Sequence, residues 1–134
     1  MAVFKRKVCK EGHLMDPSWK VCPVCLAPIC GWLVVMNGQF KNKVYTIHEG
    51  KNKIGSGVEC ELRMMIPGVL RHHATLSSER VASGGKQLLH YKLINQAAAE
   101  AESVQVNNVP VQTQQIIDGD IIKLGDLELK FKCL

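Results

Sequence analysis

Hydrophobic and polar residues alternate in short runs along most of the chain. In Leu127–Cys133, residues Leu127, Leu129, Phe131 and Cys133 alternate with Glu128, Lys130 and Lys132. A period of two places one set on a buried face and the other in water, as in a half-buried strand. Cys133 therefore reads as a core residue rather than a reactive thiol. Trp32–Met36 is an apolar run closed by Asn37-Gly38, a strong hairpin signal. Lys43–His48 follows, and Glu49-Gly50 turns the chain into Lys51–Ile54. His73–Arg80 and Lys86–Ile94 flank the turn Ser83-Gly84-Gly85. Val104–Asn107 and Val109–Gln112 form a short pair. Asp118-Gly119 and Gly125-Asp126 bracket the strand Asp120–Leu124. Strands at roughly ten-residue spacing, separated by Gly and Asn turns, predict an all-β sandwich. No segment keeps a helical period beyond two turns.

The pattern changes near Cys30–Gly31. The chain has 134 residues and a formal net charge of +5. Five basic residues (Lys5, Arg6, Lys7, Lys10 and Lys20) and two acids, Glu11 and Asp16, give residues 1–30 a net +3. Four of the six cysteines are there too, whereas Cys60 and Cys133 stand alone. Two domains are expected: 1–30, a zinc-binding ribbon or knuckle, and 31–134, the sandwich. Almost no linker separates them, so they are expected to touch.

Cys9 to Cys25 reads CKEGHLMDPSWKVCPVC, that is C-x3-H, eight residues, then C-x2-C. Three thiolates and one imidazole at this spacing suit tetrahedral zinc. We expect Cys9, His13, Cys22 and Cys25 to hold a structural Zn2+ ion, with Cys30 as a rival ligand and two disulfides or free thiols as the bland alternative. The segment has few aliphatic residues, so metal binding would supply its folding energy. Its pattern is similar to short zinc ribbons with C-x-x-G-H…P-x-W-x-x-C-P-x-C, which in bacterial proteins are often fused to other domains.

Composition narrows the function. Hydrophobic residues are 46% and charged residues 22%, close to globular averages. The longest apolar run is five residues, against the roughly 20 needed for a membrane helix. No Sec-type signal is read at the N-terminus, and a cytoplasmic location without membrane insertion is expected. The sequence has no G-x-S-x-G, no H-E-x-x-H and no P-loop, and Cys60 has no nucleophile–base signature. An enzyme is not expected.

Ile54–Thr75 reads IGSGVECELRMMIPGVLRHHAT. Gly55, Glu61-Leu62, Arg71, His73 and Ala74 match, without a gap, the Gly-Arg, acidic–Ile and Ser-Arg-x-His-Ala pattern of the forkhead-associated (FHA) domain. Val106-Asn107-Asn108 looks like that family's Val-Asn-Gly turn. Ile117–Gly125 matches its Leu-x-Asp-Gly-Asp-x-Ile-x-Leu-Gly stretch. The resemblance covers about residues 31–134 and implies an eleven-strand sandwich that binds phosphothreonine peptides through loops at one end. It also implies that His73 braces a binding loop. The departures fall at the ligands. The family's phosphate-holding Arg is Ser56, its phosphate-bonding Ser is Leu70, and its peptide-gripping Asn aligns near Glu102. The implied phosphopeptide loops, marked by Ser56, Leu70, Arg71, His73 and Asn107, thus read as degenerate.

The expectation is a non-catalytic protein–protein interaction module whose partner binding is independent of phosphate, in a scaffold, signalling or secretion setting. Two alternatives stand beside it. One is a phosphothreonine reader that uses Arg71 with Arg63 or Lys53. The other is nucleic-acid binding by the basic ribbon, for which +3 is a weak charge and Trp19 the one stacking group. Ala97–Glu102 is expected to form a surface turn or helical stub.

Overall fold

The computed structural model describes residues 7–8, 14–15, 27–97 and 103–133. Two-residue strands β1 (Lys7–Val8) and β2 (Leu14–Met15) pair antiparallel. Cys9 and His13 fall between them in sequence. Cys9, His13, Cys22 and Cys25, and Ala98–Glu102 of the expected surface turn, lie outside the described residues.

The rest is two packed sheets. One contains β3 (Ile29–Val35), β4 (Val44–His48), β9 (Val104–Val106), β10 (Val109–Pro110), β12 (Ile121–Leu124) and β13 (Leu127–Cys133), in the order β10-β9-β12-β13-β3-β4. The other contains β5 (Lys51–Gly55), β6 (Leu62–Arg63), β7 (Ala74–Ser83), β8 (Lys86–Asn95) and β11 (Thr113–Ile116), in the order β11-β8-β7-β5-β6. β5–β6 pairs in parallel and the other ladders are antiparallel.

Alternation builds the core. Pairing of β9, β12, β13 and β3 sets Val106, Ile122, Leu129 and Val35 in one row across the first sheet. All four are buried. Leu76 and Leu93, partners on β7 and β8, are buried in the second sheet. Tyr91 and Phe131 join the layers edge to face, with ring centroids 4.9 Å apart. Asn52 is buried without being orphaned, because its side-chain amide donates to the His48 and Leu76 carbonyls. Two-residue turns at Gly84-Gly85 and Asn107-Asn108 have positive φ at both positions. Such turns match the twist of the strands they join.

Three details differ from the sequence expectation. β3 begins at Ile29, two residues before the expected boundary at Gly31. Cys30, the rival zinc ligand, is 1% exposed within the core. The strand expected at Val109–Gln112 pairs with β9 as expected but is shorter, ending as β10 at Pro110, after which the chain turns a corner. Val111 N–H still bonds Val104 O in the first sheet, whereas Gln112 O accepts from Asn95 N–H in the second. β11 then runs along the edge of the second sheet. Its residues Thr113, Gln114 and Gln115 are exposed, so it lacks the apolar signal that marks a strand. β6 is too short to show a period.

Candidate functional site

One end of the sandwich gathers the loops 56–61 and 64–73. Gly55 lies where β5 meets the returning loop, and a β carbon there would collide with the Arg71 carbonyl. Absence of a side chain lets the two loops zip together. Ser56 N–H donates to Leu70 O and Gly57 N–H to Arg71 O, both at 3.0 Å.

His73, 1% exposed, fixes this junction. Leu70 N–H donates to its Nδ1 at 3.2 Å, and its Nε2 lies 2.9 Å from Ser103 O. A carbonyl can only accept, so the proton sits on Nε2 and Nδ1 is the acceptor. This imidazole ties the 64–73 loop to the start of β9. The neighbouring His72 is half-buried, with Nε2 3.2 Å from Thr75 Oγ1.

The side chains around this junction are mixed in character. Ser56 is half-buried, and Leu70 is 40% exposed. Met65, from the same loop as Leu70, is 65% exposed. Arg71 is exposed, and its Nε donates to Glu59 Oε1 at 3.0 Å. The Glu59 backbone amide first, and Arg71 second, hold the Glu59 carboxyl below its usual value. A carboxylate thus stands beside Arg71. Arg63, at the end of β6, donates from Nε to Ser56 O at 3.2 Å, which holds its guanidinium beside the 56–61 loop. Lys53 N–H bonds Glu61 Oε1 at 3.0 Å, which ties β5 to the 56–61 loop through the Lys53 backbone.

Asn107 does not join this cluster. It turns the chain at the far end of β9, with φ +51°, and its side chain bonds Asp120 Oδ1 and Ile121 N–H. Its role there is to close a tight turn that demands a left-handed residue. Sequence spacing reveals the turn but not which end of the sandwich it occupies. Glu59 and Ser103 were not singled out by the sequence. Neither belongs to a motif, and only the folded loops bring them to Arg71 and His73.

The three described cysteines do not form a nucleophilic site. Burial raises the Cys30, Cys60 and Cys133 thiols above their usual value. Thiolate character, which nucleophilic chemistry needs, is thereby suppressed. Among the described residues, no three His, Cys, Asp or Glu side chains are grouped to hold a metal ion. No helix among them is long and apolar enough to cross a membrane.

Comparison with known proteins agrees with this geometry. The chain is 33% identical over 87 residues to the FHA domain-containing protein FhaA of Mycobacterium tuberculosis, an alignment covering 65% of this chain and 15% of that relative. The structure of the FhaA FHA domain complexed with the intracellular domain of Rv3910 superposes with a TM-score of 0.58 at 29% identity, covering 76% of this chain and 99% of that one. A structure from work on phosphothreonine-dependent FHA domain interactions gives a TM-score of 0.60 at 28% identity, covering 78% and 97%. The yeast Dun1 FHA domain, bound to a doubly phosphorylated peptide derived from Rad53, shares the fold, with a TM-score of 0.70, 17% identity and coverage of 88% and 84%. The FHA domain model matches residues 52–125, from β5 through the turn after β12. With that match over more than half its length, the chain belongs to the FHA domain family, whose members are non-catalytic protein–protein interaction modules.

Proposed function

We propose that this FHA domain binds its protein partner through the 56–61 and 64–73 loops without requiring a phosphothreonine, and that residues 1–30 form a structural zinc module beside it. The observation that carries the first part is the retained loop framework bearing an exposed leucine. Leu70 keeps both backbone bonds of the junction, to Ser56 and His73, but offers no hydroxyl. A hydrogen bond to a charged group contributes about 1.5–3 kcal/mol. Losing a serine and an arginine ligand would weaken phosphate binding by about 3–6 kcal/mol, a factor of roughly 10² to 10⁴. Met65 and Leu70 supply apolar contact area in exchange.

The zinc reading rests on the donor set. Cys9, His13, Cys22 and Cys25 offer three thiolates and one imidazole, which a four-coordinate structural site takes. The β1–β2 ladder brackets Cys9 and His13 in sequence and suits such a knuckle. A closed site of this kind leaves no position for catalytic water.

A second reading is favoured by one contact. Arg63 sits against the Ser56 carbonyl, so Arg63 and Arg71 together would offer two guanidinium groups to a phosphate. Calorimetric titration with phosphothreonine peptides and their unphosphorylated twins separates the readings. Equal or absent binding of each pair supports the first. Micromolar binding that requires the phosphate and is lost in Arg63→Ala and Arg71→Ala establishes the second.

A further inference from the structure

The β7–β8 hairpin runs past its neighbours at the end of the sandwich opposite the Gly55–His73 loops. β8 pairs with β11 only as far as Tyr91, whereas its pairing with β7 continues to Lys86. Beyond Tyr91, one edge of β8 has no strand beside it among the described residues. The ladders tell which residues face that edge. Asn95 N–H donates to Gln112 O. Bonded and non-bonded pairs alternate along an antiparallel ladder, so Leu93 and Tyr91 also turn their backbones to β11. Leu89 and Gln87 continue the same series, with no β11 residue left to meet them. The other side gives the same phase. Ser78 N–H donates to Gly50 O, so even-numbered β7 residues face β5 and odd-numbered ones face β8. Their bonded partners on β8 are His90, Leu88 and Lys86. The N–H and C=O groups of Gln87 and Leu89 are thus directed into open space, without a backbone partner among the described residues.

A groove of about 610 Å³ lies along this edge. Tyr91 and Ile116 are buried in its depth, and Ile29 and Ile117 are 46% and 65% exposed at its rim. The charged groups on its wall are already engaged. Arg80 pairs with Glu49, and Asp118 accepts from Cys133 N–H and lies beside Lys132. Uncharged apolar side chains therefore suit the groove, since a further charge would be desolvated there without a partner. On the other face of β8, Lys86 and Leu88 are exposed. An unpaired strand edge beside an apolar recess is a template for one more strand. At about 3.4 Å per residue, the open edge from Tyr91 to Lys86 accommodates a segment of about five residues.

We propose that an extended segment of a protein partner adds to β8 as a strand, bonding the backbones of Gln87 and Leu89 and continuing the line of β11. Its groove-facing side chains are apolar and rest against Leu89, Ile29 and Ile117. The alternate side chains lie beside Leu88 and Lys86, and the one next to Lys86 is acidic, because opposite charges on neighbouring strands attract. This surface is separate from the 56–61 and 64–73 loops, which stay free.

Amide hydrogen exchange on the full chain, joined to selection from a displayed library of random octapeptides, tests this. In the free protein the Leu88 and His90 amides, bonded to β7, should exchange slowly, and those of Gln87 and Leu89 fast. Protection of Gln87 and Leu89 in the free protein overturns the proposal, because the edge is then already covered by the chain itself or by a second copy. Selected peptides should carry apolar residues at every second position with an acidic residue between them. Binding them should slow exchange at Gln87 and Leu89 by about tenfold or more. Gln87→Pro removes an edge donor but no bond to β7, a change that edge strands tolerate. It and Lys86→Glu should each weaken binding about fivefold, as loss of one hydrogen bond or charge pair would. Unchanged protection of Leu88 and His90 shows that the hairpin is still folded in both variants. Peptides without the alternating pattern, or peptides that protect only amides of the 56–73 loops, overturn the proposal.

Discussion

Arg71 directs its guanidinium Nε to Glu59, 3.0 Å from the carboxylate oxygen, at the Gly55–His73 end of the sandwich. The Arg71 side chain is 79% exposed and that of Glu59 34%, and a pair with one partner this open to water contributes little to stability. Its importance is electrostatic, since the negative charge of Glu59 offsets that of Arg71, the cation a phosphate reader would use. Glu59→Gln should therefore leave the unfolding midpoint nearly unchanged while making the loop end more attractive to anions. Chemical-shift perturbation by inorganic phosphate checks this. Larger shifts at Arg71 in the variant than in the parent are expected, and equal shifts would remove Glu59 from the account.

His73 is expected to be structural. Its removal orphans Leu70 N–H, takes one of the donors from Ser103 O, which Gly125 N–H still reaches, and leaves a cavity. His73→Ala should cost about 2–4 kcal/mol in urea denaturation. A loss below about 0.5 kcal/mol would contradict the bracing role.

Asn107→Ala should lower stability by about 1–3 kcal/mol, through two lost hydrogen bonds and a left-handed alanine. Partner binding at the 56–73 loops should be unaffected. A selective loss of partner affinity would return Asn107 to the binding surface.

Asp118 gives the fold an acid dependence. Its Oδ1 accepts from the Cys133 backbone N–H at 2.9 Å, and Oδ2 lies 3.4 Å from Lys132 Nζ. The backbone bond first, and Lys132 after it, lower the carboxyl below its ordinary 3.8. A lowered native pKa stabilises the fold above the unfolded value, and that contribution fades as pH falls through the native one. The difference in unfolding temperature between the parent and Asp118→Asn should be constant above about pH 5 and shrink below pH 4. A difference that grows on acidification would reverse the assignment.

Metal content tests the N-terminal reading. Protein purified without chelator should carry one zinc per chain by plasma mass spectrometry, and Cys22→Ser should lose it. Far less than one zinc in the parent contradicts the site.

Much of the sandwich was legible because its strands alternate cleanly. Leu127–Cys133 declares its buried face residue by residue, and the Gly84-Gly85 turn marks a hairpin by its own chemistry. β11 was not legible, since an exposed edge strand made of Thr and Gln carries no period. The site was legible only through motifs. Those motifs located Gly55, Arg71 and His73 but also drew in Asn107, whose true neighbours are Asp120 and Ile121. Spacing along a chain does not say at which end of a sheet a turn lies. Glu59 beside Arg71 depends on loop conformation and had no sequence signal, whereas Arg63 was named as a candidate companion of Arg71 without its bond to the Ser56 carbonyl.

The central claim is that this loop end has kept its framework and lost its phosphate ligands. Parallel titrations of the parent and Ser56→Arg/Leu70→Ser with one phosphothreonine peptide library test it most directly. The account predicts no phosphate-dependent binding by the parent and a gain in the double variant, because the framework that would position both restored ligands is already in place. Micromolar, phosphate-dependent binding by the parent, lost in Arg71→Ala, would contradict it.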